Sequence, residues 1–291
     1  MNFDYRNISL ATFCAASAFQ LVACGSDGSS PGATTETLND GTKPDREGYV
    51  VVVNDKSSTG DEHSILALFS TLPPPFTQEC KTYPEGSCTA EVCGPVSLPS
   101  PGWEIKKFAA GVIEISGARI SPAIRLEPVN STQYPELSLP GLVWSGGEDI
   151  RFRAAGQPGG VPAFEATLKA PSLITVTAPV WGDSLSVDRS KDLAISWTLE
   201  GAASGVVAAR FTTDTSSGST TVTCRYPAAD KHGTIPSASL KRLTPASGAG
   251  FDVELNEEKH LQVGDWPVRL ALLSHASRPG GGLASTGVTL E

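Results

Sequence analysis

Histidine, methionine and tyrosine are scarce in this chain of 291 residues, with four, one and five copies, and only 18% of it is charged. His63, His232, His260 and His275 are scattered, and none falls in a catalytic or metal-binding spacing. No basic stripe is present, the net charge is −9 and the pI is near 5.0. Without cations clustered to neutralise phosphates, nucleic acid is excluded as an expected partner. No apolar run reaches the roughly 20 residues that a membrane-spanning helix needs. A GxSxG elbow, a P-loop, a GxGxxG fingerprint, an HExxH helix and an EF-hand loop are all missing, which removes the enzyme and binding families that rest on them. A triad assembled in space from the many serines stays open, as does a glycosidase-like carboxylate pair. No segment sustains a 3.6-residue apolar period, so helical architectures are excluded too.

Short β-branched runs fill the place of helices. An apolar content of 40% is ample for a packed core. Tyr49 to Val53 and Ser64 to Phe69 read as strands, the second ending before Pro73-Pro74-Pro75, a rigid extended loop. Further strands are expected at Thr89 to Val92, Val112 to Ile115, Ala123 to Leu126, Asp149 to Arg153 and Phe164 to Leu168. Beyond Pro171 the pattern sharpens. Ser172 to Thr177 and Asp192 to Glu200 are strands, the latter with Leu193, Ile195, Trp197 and Leu199 on one face. Gly205 to Thr213, Thr220 to Tyr226, Phe251 to Asn256, Trp266 to Ser274 and Val288 to Leu290 follow, and only Pro236 to Leu243 looks helical. About seven short strands in roughly 120 residues, with frequent turn signals, is the signature of a sandwich. The expected fold is therefore all-β, an antiparallel immunoglobulin-like β-sandwich, in two packed modules at 49–171 and 172–291. A single fused β domain is the alternative.

The N-terminus carries the most specific signal. One net positive charge (Arg6 and the α-amine against Asp4) precedes the mostly apolar run Ile8 to Phe19, which closes on Leu21-Val22-Ala23-Cys24. This resembles the lipobox of bacterial lipoproteins. The resemblance implies removal of residues 1–23 and lipidation of Cys24 as the new N-terminus. An ordinary signal peptide cut after Ala16-Ser17-Ala18 and a short buried element are the alternatives. Gly25, where an Asp would favour inner-membrane retention, implies passage to the outer membrane. Several acyl chains, at about 0.8 kcal/mol per buried methylene, hold far more firmly than one. Residues 24–48 then form a tether rich in glycine and nearly free of large apolar side chains, too poor in burial to offset its ordering entropy. The body also resembles uncharacterised immunoglobulin-like lipoproteins in architecture, which says nothing of activity.

With Cys14 in the signal and Cys24 lipidated, Cys80, Cys88, Cys93 and Cys224 remain, enough for two disulfides in an oxidising compartment. Cys80 and Cys88 flank the turn-like Tyr83-Pro84-Glu85-Gly86, which favours a short bridge there and a long one from Cys93 to Cys224. Against this, Cys88 shares a face with Ala90 and Val92, and Cys224 one with Val222 and Tyr226, so those two could meet inside. The pairing stays open at this point. A zinc site on these cysteines lacks a CxxC pair and a nearby histidine.

Two weaker constellations lie in expected loops. Trp103, Trp144 and Trp181 adjoin glycine-bearing turns, where exposed rings stack on sugars or dock partners; the opposing reading is that each folds back as an anchor. Asp183, Asp188 and Asp192 share one stretch, but their spacing matches no calcium site. The resulting expectation is a non-enzymatic, lipid-anchored envelope protein that binds a glycan or protein partner through loops. It needs no cofactor, metal or catalytic residue, and its oligomeric state is not readable. A scaffolding lipoprotein without a ligand site and an envelope hydrolase are the alternatives.

Overall fold

The computed structural model describes residues 46–56, 60–71, 80–95, 105–117, 119–180, 185–201, 203–277 and 286–291. The lipobox with Cys24, the Pro73-Pro74-Pro75 loop, Trp103, Trp181 and Asp183 lie outside these residues.

The described chain is almost wholly strand. In order these are β1 (Arg46–Asp55), β2 (Glu62–Thr71), β3 (Cys80–Glu85), β4 (Cys88–Cys93), β5 (Lys107–Phe108), β6 (Ile113–Gly117), β7 (Ile120–Leu126), β8 (Leu137–Pro140), β9 (Asp149–Ala154) and β10 (Phe164–Lys169). Then come β11 (Leu173–Ala178), β12 (Leu185–Val187), β13 (Leu193–Glu200), β14 (Val206–Thr215), β15 (Gly218–Pro227), β16 (His232–Ile235), β17 (Ala246–Val263), β18 (Trp266–His275) and β19 (Thr286–Leu290). The expected helix shrinks to one turn, α1 (Ser237–Leu240), entered from Pro236; Leu240 and Leu243 are buried beneath it.

A twelve-stranded sheet runs β3-β4-β15-β14-β17-β18-β1-β2-β5, with β8 beside β2 and β19 joining β17 to β12. A four-stranded sheet, β10-β9-β6-β7, and a three-stranded one, β11-β13-β16, complete the fold. The sheets are mainly antiparallel and do not close into a barrel, an all-β sandwich arrangement. Two pairings depart from that rule: β1 runs parallel to β18, and β12 parallel to β19.

Side-chain alternation explains how the layers meet. Along β9, Ile150, Phe152 and Ala154 are buried while Asp149, Arg151 and Arg153 are exposed, and β10 repeats this with Phe164, Ala166 and Leu168. These residues meet Val50, Val52, Ile65, Phe69 and Leu270 from the long sheet in a first core. A second core packs Ile174, Val176, Ile195 and Trp197 of the three-stranded sheet against Val207, Phe211, Val222, Phe251 and Leu255. Phe211 and Phe251 stand opposite each other on β14 and β17 and stack at 4.3 Å.

The first core includes Val263, Trp266, Val268, Leu270 and Leu272, and the second includes Cys88 and Ala90, so both cores draw on both sides of the expected module boundary at 171/172. Nor does that boundary divide the sheet. β18, from the C-terminal half of the sequence, lies between β17 and β1, and the β3–β4 hairpin sits on the edge beside β15. The described residues form one compact unit. β17 makes this possible: at 18 residues it pairs with β14 over Gly250 to Asn256 and with β18 over Glu254 to Val263, carrying one strand from the second core to the first.

Two sequence boundaries also move. Gly48, read as the end of the tether, is a strand residue opposite Phe69, whose ring fills the space a side chain would occupy. Tyr83-Pro84-Glu85 belongs to β3, and the hairpin turns at Gly86-Ser87, with Gly86 at φ +61°.

Candidate functional site

The hairpin register decides the disulfides. With the turn at Gly86-Ser87, Cys80 stands opposite Cys93, and Cys88 opposite Cys224 on β15. The bonds are Cys80–Cys93 and Cys88–Cys224. The favoured short bridge from Cys80 to Cys88 is therefore incorrect: Cys88 is five positions along β4 from the partner of Cys80, about 17 Å at strand rise. The inward face shared by Cys88 and Cys224 was the better guide, and both are buried. All four sulfurs are bonded to one another, so none is a thiolate metal ligand.

Trp144 does not present its ring to a partner. It is fully buried in the first core. A row of polar side chains across three neighbouring strands holds its loop: His63 on β2, Asn54 on β1 and Ser274 on β18 stand in register. His63 Nδ1 donates to the Gly141 carbonyl at 2.8 Å. Asn54 Oδ1 accepts from the Val143 amide at 3.2 Å, and its Nδ2 donates to the Trp144 carbonyl at 3.3 Å. The indole Nε1 donates to Ser274 Oγ at 3.2 Å. The Glu148 carboxylate accepts from the Ser145 amide and hydroxyl and the Gly146 amide, tying down the next turn. Burial pushes Glu148 up, but these hydrogen bonds hold it below the usual carboxylate range. The row satisfies backbone groups that the sheet face would otherwise bury unpaired.

Asp188 and Asp192 do not converge either. Asp188 accepts from the Ser190 amide and hydroxyl and pairs with Lys191, while Asp192 accepts from the Ser237 amide.

A cluster of titratable groups lies on the other face of the long sheet. Asp55 of β1, His275 of β18 and Glu254 of β17 stand in register across three adjacent strands. Asp252 lies two residues from Glu254 on the same face, opposite Arg210 of β14. Asp55 Oδ1 accepts from His275 Nδ1 at 2.8 Å, and Arg210 reaches Glu254 Oε1 at 3.4 Å. Burial lowers the basicity of His275, yet its hydrogen bond to Asp55 and the charges of Asp252, Asp55 and Glu254 outweigh this and carry it up to about 9. Burial, reinforced by Asp252, pushes the Glu254 carboxyl up against the pull of Arg210 and His275. Asp252 Oδ2 is buried and accepts no hydrogen bond among the described residues. The arrangement can hold a cation, whether the imidazolium itself or a metal ion drawing on the ring nitrogen and the two β17 carboxylates.

The sequence carried one sign of this cluster, the alternation of Asp252, Glu254 and Asn256 with Phe251, Val253 and Leu255. Nothing local linked it to Asp55, 199 positions before Glu254, or to His275. Beside it, Arg269 forms a bidentate pair with Glu258, which also faces His260. Burial raises Glu258, but His260 and Arg269 together bring it down to about 2.

No protein-family model and no curated protein matches this chain. Among the described residues no helix is long and apolar enough to cross a membrane.

Proposed function

We propose that the protein is a lipid-anchored component of a bacterial cell envelope, held by Cys24, whose β head works by binding a glycan or protein partner rather than by catalysis. The observation that carries this reading is the use of cysteine. Every cysteine after Cys24 is in a disulfide, a bond that an oxidising compartment lets form and persist, and Cys24 itself stands at the end of a signal-like run. The two together favour a secreted head on a lipid stem. Gly25 favours the outer membrane as its destination.

With Trp144 buried, Trp103 and Trp181 remain as the candidate contact residues. Val180, 85% exposed, directly precedes Trp181, and Ile105, 53% exposed, follows Trp103 by two positions. Apolar side chains left in water beside aromatic residues suit partner docking. The test is fractionation of cells expressing the wild type and Cys24→Ala. The wild type should partition with membranes, and the variant should be soluble or remain uncleaved. Equal membrane partitioning and equal processing of both would overturn the anchor.

A further inference from the structure

We propose that the outer face of the long sheet binds one divalent transition-metal ion of the Zn2+ class through Asp252, Glu254 and His275, with Asp55 orienting the imidazole. Ligand atoms of the three residues lie within 4.8 Å of one another. Tetrahedral donors at 2.0–2.2 Å from a zinc ion are about 3.3–3.6 Å apart, so the three must draw together by up to roughly 1.5 Å to close the site. Among the described residues no hydrogen bond or ion pair joins the three to one another: His275 bonds Asp55, and Glu254 meets Arg210. The space among them is therefore not already spanned by a direct contact.

Three further features point to a cation. Asp252 Oδ2 is shut off from water with no donor among the described residues, a costly state for a carboxylate oxygen that a metal would relieve. Asp55 takes Nδ1, which fixes the ring and leaves Nε2 as the coordinating nitrogen, the usual carboxylate–histidine–metal relay. Charge also balances once the metal displaces the second ring proton of His275: the carboxylates of Asp55, Asp252 and Glu254 are then matched by Arg210 and the dication. An imidazole in the donor set favours zinc-like ions over calcium or magnesium, and three protein donors leave a position for water or a partner's ligand. Because the donors stand on adjacent paired strands, the site is largely preorganised.

The test uses the tag-free full chain, stripped with chelator and titrated calorimetrically with ZnCl2, with Co2+ as a spectroscopic substitute. One equivalent of Zn2+ should bind, and Co2+ should give visible ligand-field bands. Asp252→Asn should weaken Zn2+ binding at least about tenfold, and Asp55→Asn about 10–100-fold through the lost relay. Melting curves in chelator check that each variant is folded; if Asp252→Asn is not, Asp55→Asn carries the decision. Absence of Zn2+ binding by the stripped wild type would overturn the proposal, leaving the cluster a salt-bridge network. Binding equally tight in folded variants would overturn it as well, by placing the ion elsewhere.

Discussion

The indole Nε1 of Trp144 donates to the hydroxyl of Ser274, 130 positions later, at 3.2 Å. That bond, with Asn54 gripping the same loop from the neighbouring strand, makes the tryptophan a fastener between loop and sheet. A loop tryptophan need not be a ligand-binding one.

Truncating this anchor should cost stability. Trp144→Ala is expected to destabilise the protein by about 3–5 kcal/mol, as for other large buried aromatics. Trp144→Phe should cost less, since it keeps most of the volume and loses the bond to Ser274. Urea unfolding followed by circular dichroism reads both. A Trp144→Ala variant with wild-type stability would show that the ring is not in the core.

The disulfides make a separate prediction. Peptide mapping without reduction should recover Cys80 joined to Cys93 and Cys88 joined to Cys224. In the loop-entropy model, closing sequence separations of 13 and 136 contributes about 3 and about 5 kcal/mol respectively. Replacing Cys88 and Cys224 together by alanine should therefore lower stability more than replacing Cys80 and Cys93. The reverse order would count against the entropic account, and a Cys80–Cys88 peptide against the hairpin register.

Stability should also depend on pH through His275. Its folded-state pKa of about 9 lies above the ordinary 6.5, so the contribution is fully present below pH 6.5 and is lost as pH rises through about 9. The shift corresponds to roughly 3 kcal/mol as an order of magnitude. The groups responsible are Asp55, Asp252 and Glu254, which face the ring from β1 and β17. Urea midpoints in chelator at pH 6 and pH 9.5 should differ more for the wild type than for His275→Gln. Identical differences in the two proteins would remove His275 from the explanation.

Most of the strands were legible in the sequence because alternation is a local property. Phe251, Val253 and Leu255 announce β17 without any knowledge of its neighbours, and Trp197 marks β13 in the same way. What escaped was non-local or too short to carry a pattern. β5, with two residues, and β12, with three, have no periodicity to read. β3 was hidden by Pro84, tolerated because β3 is an edge strand. The parallel pairing of β1 with β18 joins residues more than 200 positions apart, and no spacing rule reaches that far. The same pairing brings Asp55 to His275, so the charged cluster could not be read before the topology was known. Trp144 was misleading for a related reason. Its flanking Ser145-Gly146-Gly147 correctly signals a turn, but burial depends on Asn54 and Ser274, which the sequence places far away.

The mass of the mature protein purified from its native membrane tests the lipid anchor at Cys24 most directly. A chain that begins at Cys24 and carries the added mass of a lipid modification is the predicted result. A chain that begins at another residue, or one that begins at Cys24 with no lipid mass, would contradict it.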